Sequence, residues 1–331
     1  MADCTPEAEV REAWEARRLA KIQEQEEDAK RLEREAVEKL RDKRESGNLA
    51  ICAGSGVTLF STRNNDGSNR TRLTWKGFIQ NGLDYIQREK PSFYRGNQKA
   101  FEKATNALDD TDSTVEDVLE VAGKVTRFMD EHSNFADWLS TQFERLHDYV
   151  EFPAILDSLG ELQRAGVTLM TTNYDGLIES HCGLQPLDGS QPQDLVRFGR
   201  RELPNVVFHP HGYWKNRNHV VLDLRQYYEV QREDSRVRQT LYDMLRGRTV
   251  VFVGCGGGVA DPNFGSLLKW LCKQEEDVSH GHYILLKKGE NHPEVDKLPL
   301  KKVYLETFDD IAPWLDDLLL DPSGSSDGNS E

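Results

Sequence analysis

Four apolar runs of this chain are each followed by residues that could bind or transform a ligand. The stretches, in chain order, are Gly54-Ser55-Gly56, Thr171-Thr172-Asn173-Tyr174-Asp175, His209-Pro210-His211-Gly212, and the glycine-rich Gly254–Asn263. In open α/β sheets, ligands bind at the carboxyl ends of parallel strands. Because four such stretches recur in one chain, we expect them to meet at one edge of a sheet and form a site.

The two glycine-rich stretches suit a phosphate or ribose. Gly54 and Gly56 permit a tight turn and close approach of backbone N–H groups to a phosphate, at the start of a predicted helix. A lone Gly-x-Gly is equally typical of a structural turn, and the third glycine of a dinucleotide fingerprint is missing. The later loop, Gly254 with Gly256–Gly258, has almost no side-chain bulk, so its backbone can lie against a ribose or pyrophosphate. Asp261 and Asn263 are predicted to form a turn and a helix start.

The polar stretches have a structural and a chemical interpretation. Asn173 and Asp175 could cap a helix that begins near Gly176. Alternatively, Asn173 holds a ribose hydroxyl or a water molecule, while Asp175 holds the loop or binds ribose. Histidine is the most frequent general base in enzymes, and His211 could serve as one, whereas His209 suits packing or support. The recurrence of such stretches after predicted strands favours the chemical interpretation.

The apolar runs predict a doubly wound, Rossmann-like α/β fold with a parallel sheet, because continuous hydrophobic runs separated by helices are typical of strands covered on both faces. The predicted strands are 49–53, 167–170, 206–208, 220–222, 249–253, 283–286 and 303–305. The interval from about 74 to 162 is predicted to be an inserted helical subdomain over the ligand edge. We expect residues 1–46 to form a long charged helix, residues 47–320 to form the main domain, and residues 321–331 to be a disordered acidic tail.

The composition narrows the functional classes. The 331 residues carry a formal net charge of -15, which argues against binding nucleic acid through bulk charge. We find no apolar run long enough to span a bilayer, and the N-terminus is too charged for a secretory signal, so a cytoplasmic protein without a membrane partner is expected. The 5 cysteines have no zinc-ligand spacing, and free thiols are expected.

Taken together and in order, the four stretches resemble the sirtuin superfamily, and most closely its divergent sirtuin-like branch in antiphage and immune NAD-consuming proteins. The resemblance rests on Gly54–Thr58, Thr171–Asp175 with Glu179, His211-Gly212 and Gly254–Asn263, and it extends in patches from about 48 to 310. Trp75 resembles a tryptophan that this branch places shortly after its first loop. Two departures argue against peptide deacylation: the cysteine pairs of the deacylase zinc ribbon are missing, and the segment after Thr58 differs from the deacylase loop.

The resemblance implies that NAD is the substrate and that its nicotinamide–ribose bond is cleaved, in immune or stress defence. The products would be nicotinamide and ADP-ribose, or a cyclic isomer. It implies that Asn173 positions a water or ribose hydroxyl, that His211 takes a proton, and that Asp175 orients the loop or contacts ribose. The implied cofactor-binding residues are Gly54, Ser55, Gly56 and Thr58 on the phosphate side, Gly254 and Gly256 on the ribose or adenosine side, and Thr172, Asp261 and Asn263.

Two other functions fit the same residues. One is an NAD-dependent protein deacylase or ADP-ribosyltransferase, and the other is a non-catalytic module that senses NAD or ADP-ribose. NADases are usually held inactive until assembled, so we expect a homo-oligomer, formed or inhibited through the N-terminal helix, and a separate activator protein. No zinc is expected.

Overall fold

The computed structural model describes residues 6–66, 68, 73–110, 113–132, 134–260, 264–269 and 281–320. Its centre is a seven-stranded sheet in the order β3-β4-β2-β1-β5-β6-β7, and every pair of neighbouring strands is parallel. The strands are β1 (Leu49–Ala53), β2 (Thr168–Thr171), β3 (Gln185–Leu187), β4 (Val206–Phe208), β5 (Thr249–Val253), β6 (His282–Lys287) and β7 (Leu300–Leu305). The predicted doubly wound α/β fold is therefore confirmed.

Helices cover both faces of this sheet. Three single turns of 3-10 helix, at Leu146–Tyr149, Arg217–His219 and Phe308–Asp310, and a fourth at Gly256–Ala260 lie in the connections. The α-helices are α1 (Pro6–Glu45), α2 (Ser55–Ser61), α3 (Trp75–Glu89), α4 (Pro91–Gly96), α5 (Gln98–Asp109), α6 (Val115–Glu131), α7 (Phe135–Phe143), α8 (Ala154–Arg164), α9 (Leu177–Cys182), α10 (Pro192–Gly199), α11 (Leu224–Gln231), α12 (Arg236–Gly247), α13 (264–269), α14 (Pro293–Asp296) and α15 (Ile311–Asp317).

The central strands are buried on both faces because their side chains alternate between two hydrophobic cores. Ile51 and Val251 belong to the core that contains residues of α3, α6, α8 and α15. Cys52 and Phe252 point the other way, into the core that contains residues of α10, α12 and α13. All five residues of β1 and all five of β5 are buried, which explains why these runs are apolar without a polar alternation.

The interval between β1 and β2 is helical, from α3 to α8. Thr74 caps α3, and Thr114 and Asp117 form a reciprocal capping box at the start of α6. Phe78 of α3 stacks on Trp138 of α7 with ring centroids 4.4 Å apart. These caps and aromatic contacts fix the helices over the carboxyl edge of the sheet, where they form one wall of the cavity described below. The division of the chain into separate domains stays a prediction.

Two details of the predicted sheet are wrong. Val220–Leu222 was expected to be a strand, but it lies outside the sheet in a buried connection whose Val221 N donates to His211 O at 2.8 Å. Its hydrophobicity reflects burial beside the site rather than strand pairing. The sheet contains instead the short β3, Gln185-Pro186-Leu187, which pairs only with β4. A proline is tolerated there because an edge strand has no neighbour on its other side.

Helix α1 packs on the domain through its last turns. Ala36, Val37 and Leu40 are buried, and Arg41 Nε donates to Asp317 O at 2.7 Å. By contrast, Leu32 is 60% exposed, so the earlier part of the helix is less tightly packed. Oligomerisation through α1 stays a prediction, and the predicted tail 321–331 lies outside the described residues. In the part of the chain that is described, no helix is both long enough and apolar enough to cross a membrane.

Candidate active site

The site lies at the point where the strand order reverses. The chain places β2, β4 and β3 on one side of β1, and then crosses to place β5, β6 and β7 on the other. The carboxyl ends of β1 and β5 therefore stand side by side, with no connection running between them. In doubly wound sheets, the crevice at such a switch point is where ligands bind.

The two glycine loops after β1 and β5 pack backbone against backbone at this crevice. Gly56 N donates to Gly254 O at 2.8 Å, and Gly54 N donates to Val253 O at 2.8 Å. A Cβ at residue 54 would lie 2.6 Å from Cys255 Cα, and one at Gly254, where φ is +65°, would lie 2.7 Å from Val57 N. These glycines are therefore required by the contact between the loops, and two of the N–H groups expected to face a phosphate are engaged within the fold.

A cavity of about 540 Å³ opens over this edge of the sheet, a size typical of sites for small molecules. One end lies beside α3, α6 and α7, and the other end lies beyond β6 and β7. Of the predicted site residues, the cavity brings together Ser55, Gly56, Thr172, Asn173, Asp175, His211, Gly254 and Gly256. Asp261 and Asn263 lie outside the described residues.

Asn173 is held so that one atom remains for a ligand. Its Nδ2 donates to Gly54 O at 3.1 Å and to Thr58 Oγ1 at 3.0 Å. Because Gly54 O can only accept, the amide nitrogen must face it, and both of its hydrogens are used. Asn173 can therefore offer Oδ1, an acceptor, to a water molecule or a ribose hydroxyl in the cavity.

Thr58 and Asp175 support this arrangement from beneath. Thr58 is 1% exposed and does not line the cavity, because its hydroxyl donates to Asp175 Oδ2 at 2.8 Å. Asp175 Oδ1 accepts from Leu177 N at 3.0 Å, so Asp175 also holds the first N–H group of α9, whose N-cap is Gly176. Burial raises the pKa of Asp175, although the hydrogen bonds from Leu177 N and Thr58 oppose the rise. Asp175 thus has the structural role that the sequence allowed, and its contact with a ribose stays a prediction.

His211 lines the cavity in a defined tautomer. Its Nδ1 lies 3.3 Å from Thr172 O, and because a carbonyl can only accept, Nδ1 carries the proton. A neutral His211 therefore has its lone pair on Nε2. Gly212, at φ +84°, allows the sharp turn after the histidine, since a Cβ there would lie 2.1 Å from His219 O. In this tautomer the ring can accept a proton only at Nε2, an atom that is itself buried beside the cavity.

The loop that carries His211 is anchored by Asp188, a residue that the sequence reasoning missed. Asp188 is fully buried at the end of β3, and its Oδ2 accepts from Tyr213 N at 3.1 Å and Asn216 Nδ2 at 2.9 Å. Its Oδ1 accepts from both the backbone N and the hydroxyl of Ser190. The dipeptide Asp188-Gly189 is a turn signal, but it follows a strand too short to be predicted.

Sequence reasoning also missed the residues that line the end of the cavity beyond β6 and β7. Lys287, Glu290 and His292 follow or end β6, and Thr307 and Phe308 follow β7, and all five line the cavity. The side chains pair among themselves: His292 Nε2 lies 3.2 Å from Glu290 Oε2, and Lys287 Nζ lies 5.4 Å from the ring centroid of Phe308. The rule that placed the first four loops, that ligands bind beyond strand ends, would have found these residues too.

Residues 167–308 match the family of the SIR2-like domain. The match supports a sirtuin-like superfamily for this chain. SIR2-like domains bind NAD, and the match is consistent with an NAD-using enzyme. It contains Asn173, Asp175, His211 and the second glycine loop, but begins after the first glycine loop and the helical interval.

No cluster of three or more His, Cys, Asp or Glu side chains suited to a metal ion occurs among the residues that the structure describes. Cys52, Cys182 and Cys255 are not in disulfide bonds. Burial raises the pKa of Cys182 to about 11, so this thiol is protonated at neutral pH.

Proposed function

We propose that this protein is an NAD glycohydrolase that cleaves the nicotinamide–ribose bond with water. The observation that carries the proposal is that Asn173, with its free acceptor Oδ1, and the His211 ring line the same cavity at the switch point, beside two glycine loops. The match to the SIR2-like domain supports NAD as the ligand.

The cavity suggests how the dinucleotide lies. Its end beside α3, α6 and α7 is rich in apolar and aromatic side chains, which suits nicotinamide: Trp75, Phe78, Val118, Phe143, Tyr174 and Tyr227. The middle, between Ser55 and Gly256–Gly258, has little side-chain bulk and suits the pyrophosphate. The end beyond β6 and β7 combines Leu285 with charged groups such as Glu290, which suits adenosine. This orientation brings the scissile bond near Asn173 and His211.

The reaction needs little from the protein beyond positioning and one base. The bond from ribose C1′ to the nicotinamide nitrogen breaks with its electron pair going to the ring, which leaves as neutral nicotinamide, and C1′ becomes oxocarbenium-like. Water then attacks C1′, and its proton passes to His211 Nε2. Asn173 Oδ1 accepts a hydrogen bond from that water or from a ribose hydroxyl. Asp175 is a positioning residue, because both of its oxygens are engaged by Thr58 and Leu177 N.

The test is incubation of the full chain with NAD and chromatographic separation of nicotinamide, ADP-ribose and cyclic ADP-ribose. Asn173→Ala and His211→Ala are expected to lower turnover at least 100-fold, whereas His147→Ala, which removes an exposed histidine, serves as the matched control. Calorimetric titration with ADP-ribose measures binding separately. Turnover that survives in both site variants would refute the assignment. Binding without turnover in the wild type would favour the sensor.

We further propose that the first part of α1 mediates assembly into a homo-oligomer and that a separate activator controls turnover. The supporting observation is exposed apolar surface on this helix: Trp14 and Leu32 are each 60% exposed. Because Ala36, Val37 and Leu40 belong to the core, a truncation that tests this proposal should end at residue 30 and so spare them. Deletion of residues 1–30 is expected to lower the light-scattering mass. Unchanged mass and unchanged turnover would contradict this proposal.

A further inference from the structure

A buried ion pair lies directly behind Asn173, and the proposed reaction does not use it. His209 is fully buried and absent from the cavity lining, and Glu179 of α9 is 6% exposed. His209 Nδ1 lies 3.0 Å from Asn173 O, and its Nε2 lies 2.5 Å from Glu179 Oε1. The pair thus joins the backbone of the Asn173 loop to the helix that follows it.

The hydrogen-bond partners determine where the protons are. Asn173 O can only accept, so His209 Nδ1 must donate to it. Nε2 faces a Glu179 oxygen, so a proton also lies between these two atoms, and with His209 protonated the pair is an imidazolium with a carboxylate. Burial lowers the pKa of His209, but the charge of Glu179 and the hydrogen bonds to Glu179 and Asn173 outweigh it and raise the pKa overall. The other titratable groups facing this ring are Asp175 and Tyr213.

With this contact, nearly every polar atom of Asn173 is held. Its N donates to Thr171 Oγ1 at 3.1 Å, its O accepts from His209, and its Nδ2 donates to Gly54 O and Thr58 Oγ1. Among the described contacts, Oδ1 is the atom left over. A residue fixed at its backbone and at its amide nitrogen has little freedom in the direction of its remaining oxygen.

Stability alone is a poor reason for this pair. Replacing a buried ion pair by apolar side chains of similar volume is often neutral or stabilising. In addition, Glu179 Oε2 is buried and has no hydrogen-bond partner among the described residues, which costs free energy. Compared with apolar side chains of similar volume, the pair therefore gives the fold little extra stability, whereas it does hold the backbone of Asn173.

We propose that His209 and Glu179 are positioning residues that fix the Asn173 carbonyl and thereby aim Asn173 Oδ1 at the reacting ribose. Neither residue touches the substrate. This inference rests on the proposed NAD hydrolysis and adds to it a requirement outside the cavity.

Two amide substitutions at residue 209 separate the two halves of the contact. The amide nitrogen of Asn reaches roughly the position of Nδ1, and that of Gln roughly the position of Nε2. His209→Asn can therefore keep the bond to Asn173 O, and His209→Gln keeps the bond to Glu179 instead. We expect kcat to fall at least tenfold in His209→Gln and less than threefold in His209→Asn, with the KM for NAD within threefold of the wild type in both. Equal kcat values in the two folded variants would overturn the proposal.

Two further measurements separate this proposal from the proposed hydrolysis. In protein labelled with ¹⁵N-histidine, both nitrogens of His209 are expected to stay protonated at pH 7, and Nε2 is expected to lose its proton in Glu179→Gln. A neutral His209 in the wild type would overturn the ion pair whether or not NAD is hydrolysed. If His209→Gln does not fold, Glu179→Leu replaces it, with kcat expected to fall at least fivefold, and a kcat within twofold of the wild type would equally overturn the positioning role. Absence of wild-type turnover would instead count against the hydrolase.

Discussion

Replacing Thr58 by valine removes one hydroxyl from the floor of the site and leaves the shape of the side chain nearly unchanged. That hydroxyl donates to Asp175 Oδ2 at 2.8 Å and accepts from Asn173 Nδ2 at 3.0 Å. In the valine variant, the carboxylate loses one of its two described partners, and the Asn173 amide keeps only its bond to Gly54 O. The variant therefore tests whether the floor of the site holds Asn173.

The expected loss of stability follows from these two bonds. A hydrogen bond to a charged group contributes about 1.5–3 kcal/mol, and a neutral one about 0.5–1.5 kcal/mol. We therefore expect the free energy of unfolding to fall by about 2–4 kcal/mol at neutral pH. The loss should diminish as the pH falls, because the pKa of Asp175 is already raised by burial and removal of the hydroxyl raises it further. Once Asp175 is protonated, its missing partner costs less.

The effect on turnover follows from orientation. With one of its two amide anchors gone, Asn173 Oδ1 can swing away from the reacting position, and small misplacements of catalytic groups cost large factors in rate. We expect kcat for NAD to fall about tenfold, with a smaller change in KM. The assays are denaturant unfolding at several pH values and steady-state kinetics on the same preparations.

A matched control lies one turn further along the chain. Thr62 is also fully buried, and its hydroxyl donates only to the backbone Thr58 O at 2.7 Å. Thr62→Val is expected to cost about 1 kcal/mol or less and to leave kcat unchanged. Thr58→Ser, which keeps the hydroxyl, should recover at least half of the stability lost in Thr58→Val. If Thr58→Val behaves like Thr62→Val in both assays, the network does not position Asn173 and the reasoning is wrong.

Three other perturbations test different parts of the site. Gly254→Ala forces a left-handed residue to carry a Cβ 2.7 Å from a backbone nitrogen, so it should cost at least about 2 kcal/mol in unfolding experiments, whereas Gly257→Ala, with open space around it, should cost less than about 1 kcal/mol. Asp188→Asn leaves part of a buried four-donor cluster unpaired and should lower the free energy of unfolding by about 3 kcal/mol, together with kcat. The pKa of His209 is raised in the folded state, so the stabilisation by its contact with Glu179 is complete below the pKa of the unfolded state and is lost as the pH rises through the folded pKa. The difference in unfolding free energy between the wild type and Glu179→Gln should therefore shrink when unfolding is measured at increasingly alkaline pH.

The sequence predicts the sheet well, because strands that are buried on both faces consist of consecutive apolar residues. Leu49–Ala53 is apolar throughout and Thr249–Val253 is apolar after its first residue, and both were predicted with the bounds that the structure shows. Val220–Leu222 is similarly apolar but lies outside the sheet, where Val221 packs with Leu119 of α6 and Tyr227 of α11. Composition cannot separate these two environments. The Gln185–Leu187 strand is the converse case, because an edge strand of three residues needs almost no hydrophobic signal to pair.

The site, like the sheet, is predictable where the signal lies in consecutive residues. A rule about strand ends finds the loops that contain Asn173, His211 and Gly254, since each loop is adjacent in sequence to the strand that positions it. It assigned Thr58 to a phosphate, because nothing local shows that residues 117 positions apart share a hydrogen bond. Roles that depend on such distant partners need the fold before they can be assigned.

Sequence reasoning gave His209 a supporting role, but it could not show which residues support one another. Asn173 and Asp175 are close in sequence, yet Thr58 reaches Asp175 from α2, and His209 reaches Asn173 from the loop after β4. Glu179 of α9 acts through His209. Each of these supports satisfies a buried polar group, and a buried polar group left unpaired costs about as much as a hydrogen bond gains. The orientation of Asn173 Oδ1 is thus tied to the stability of the floor beneath it. Variants of that floor should therefore lose kcat and unfolding free energy together, whereas variants that only line the cavity should change kcat or KM with little change in unfolding free energy.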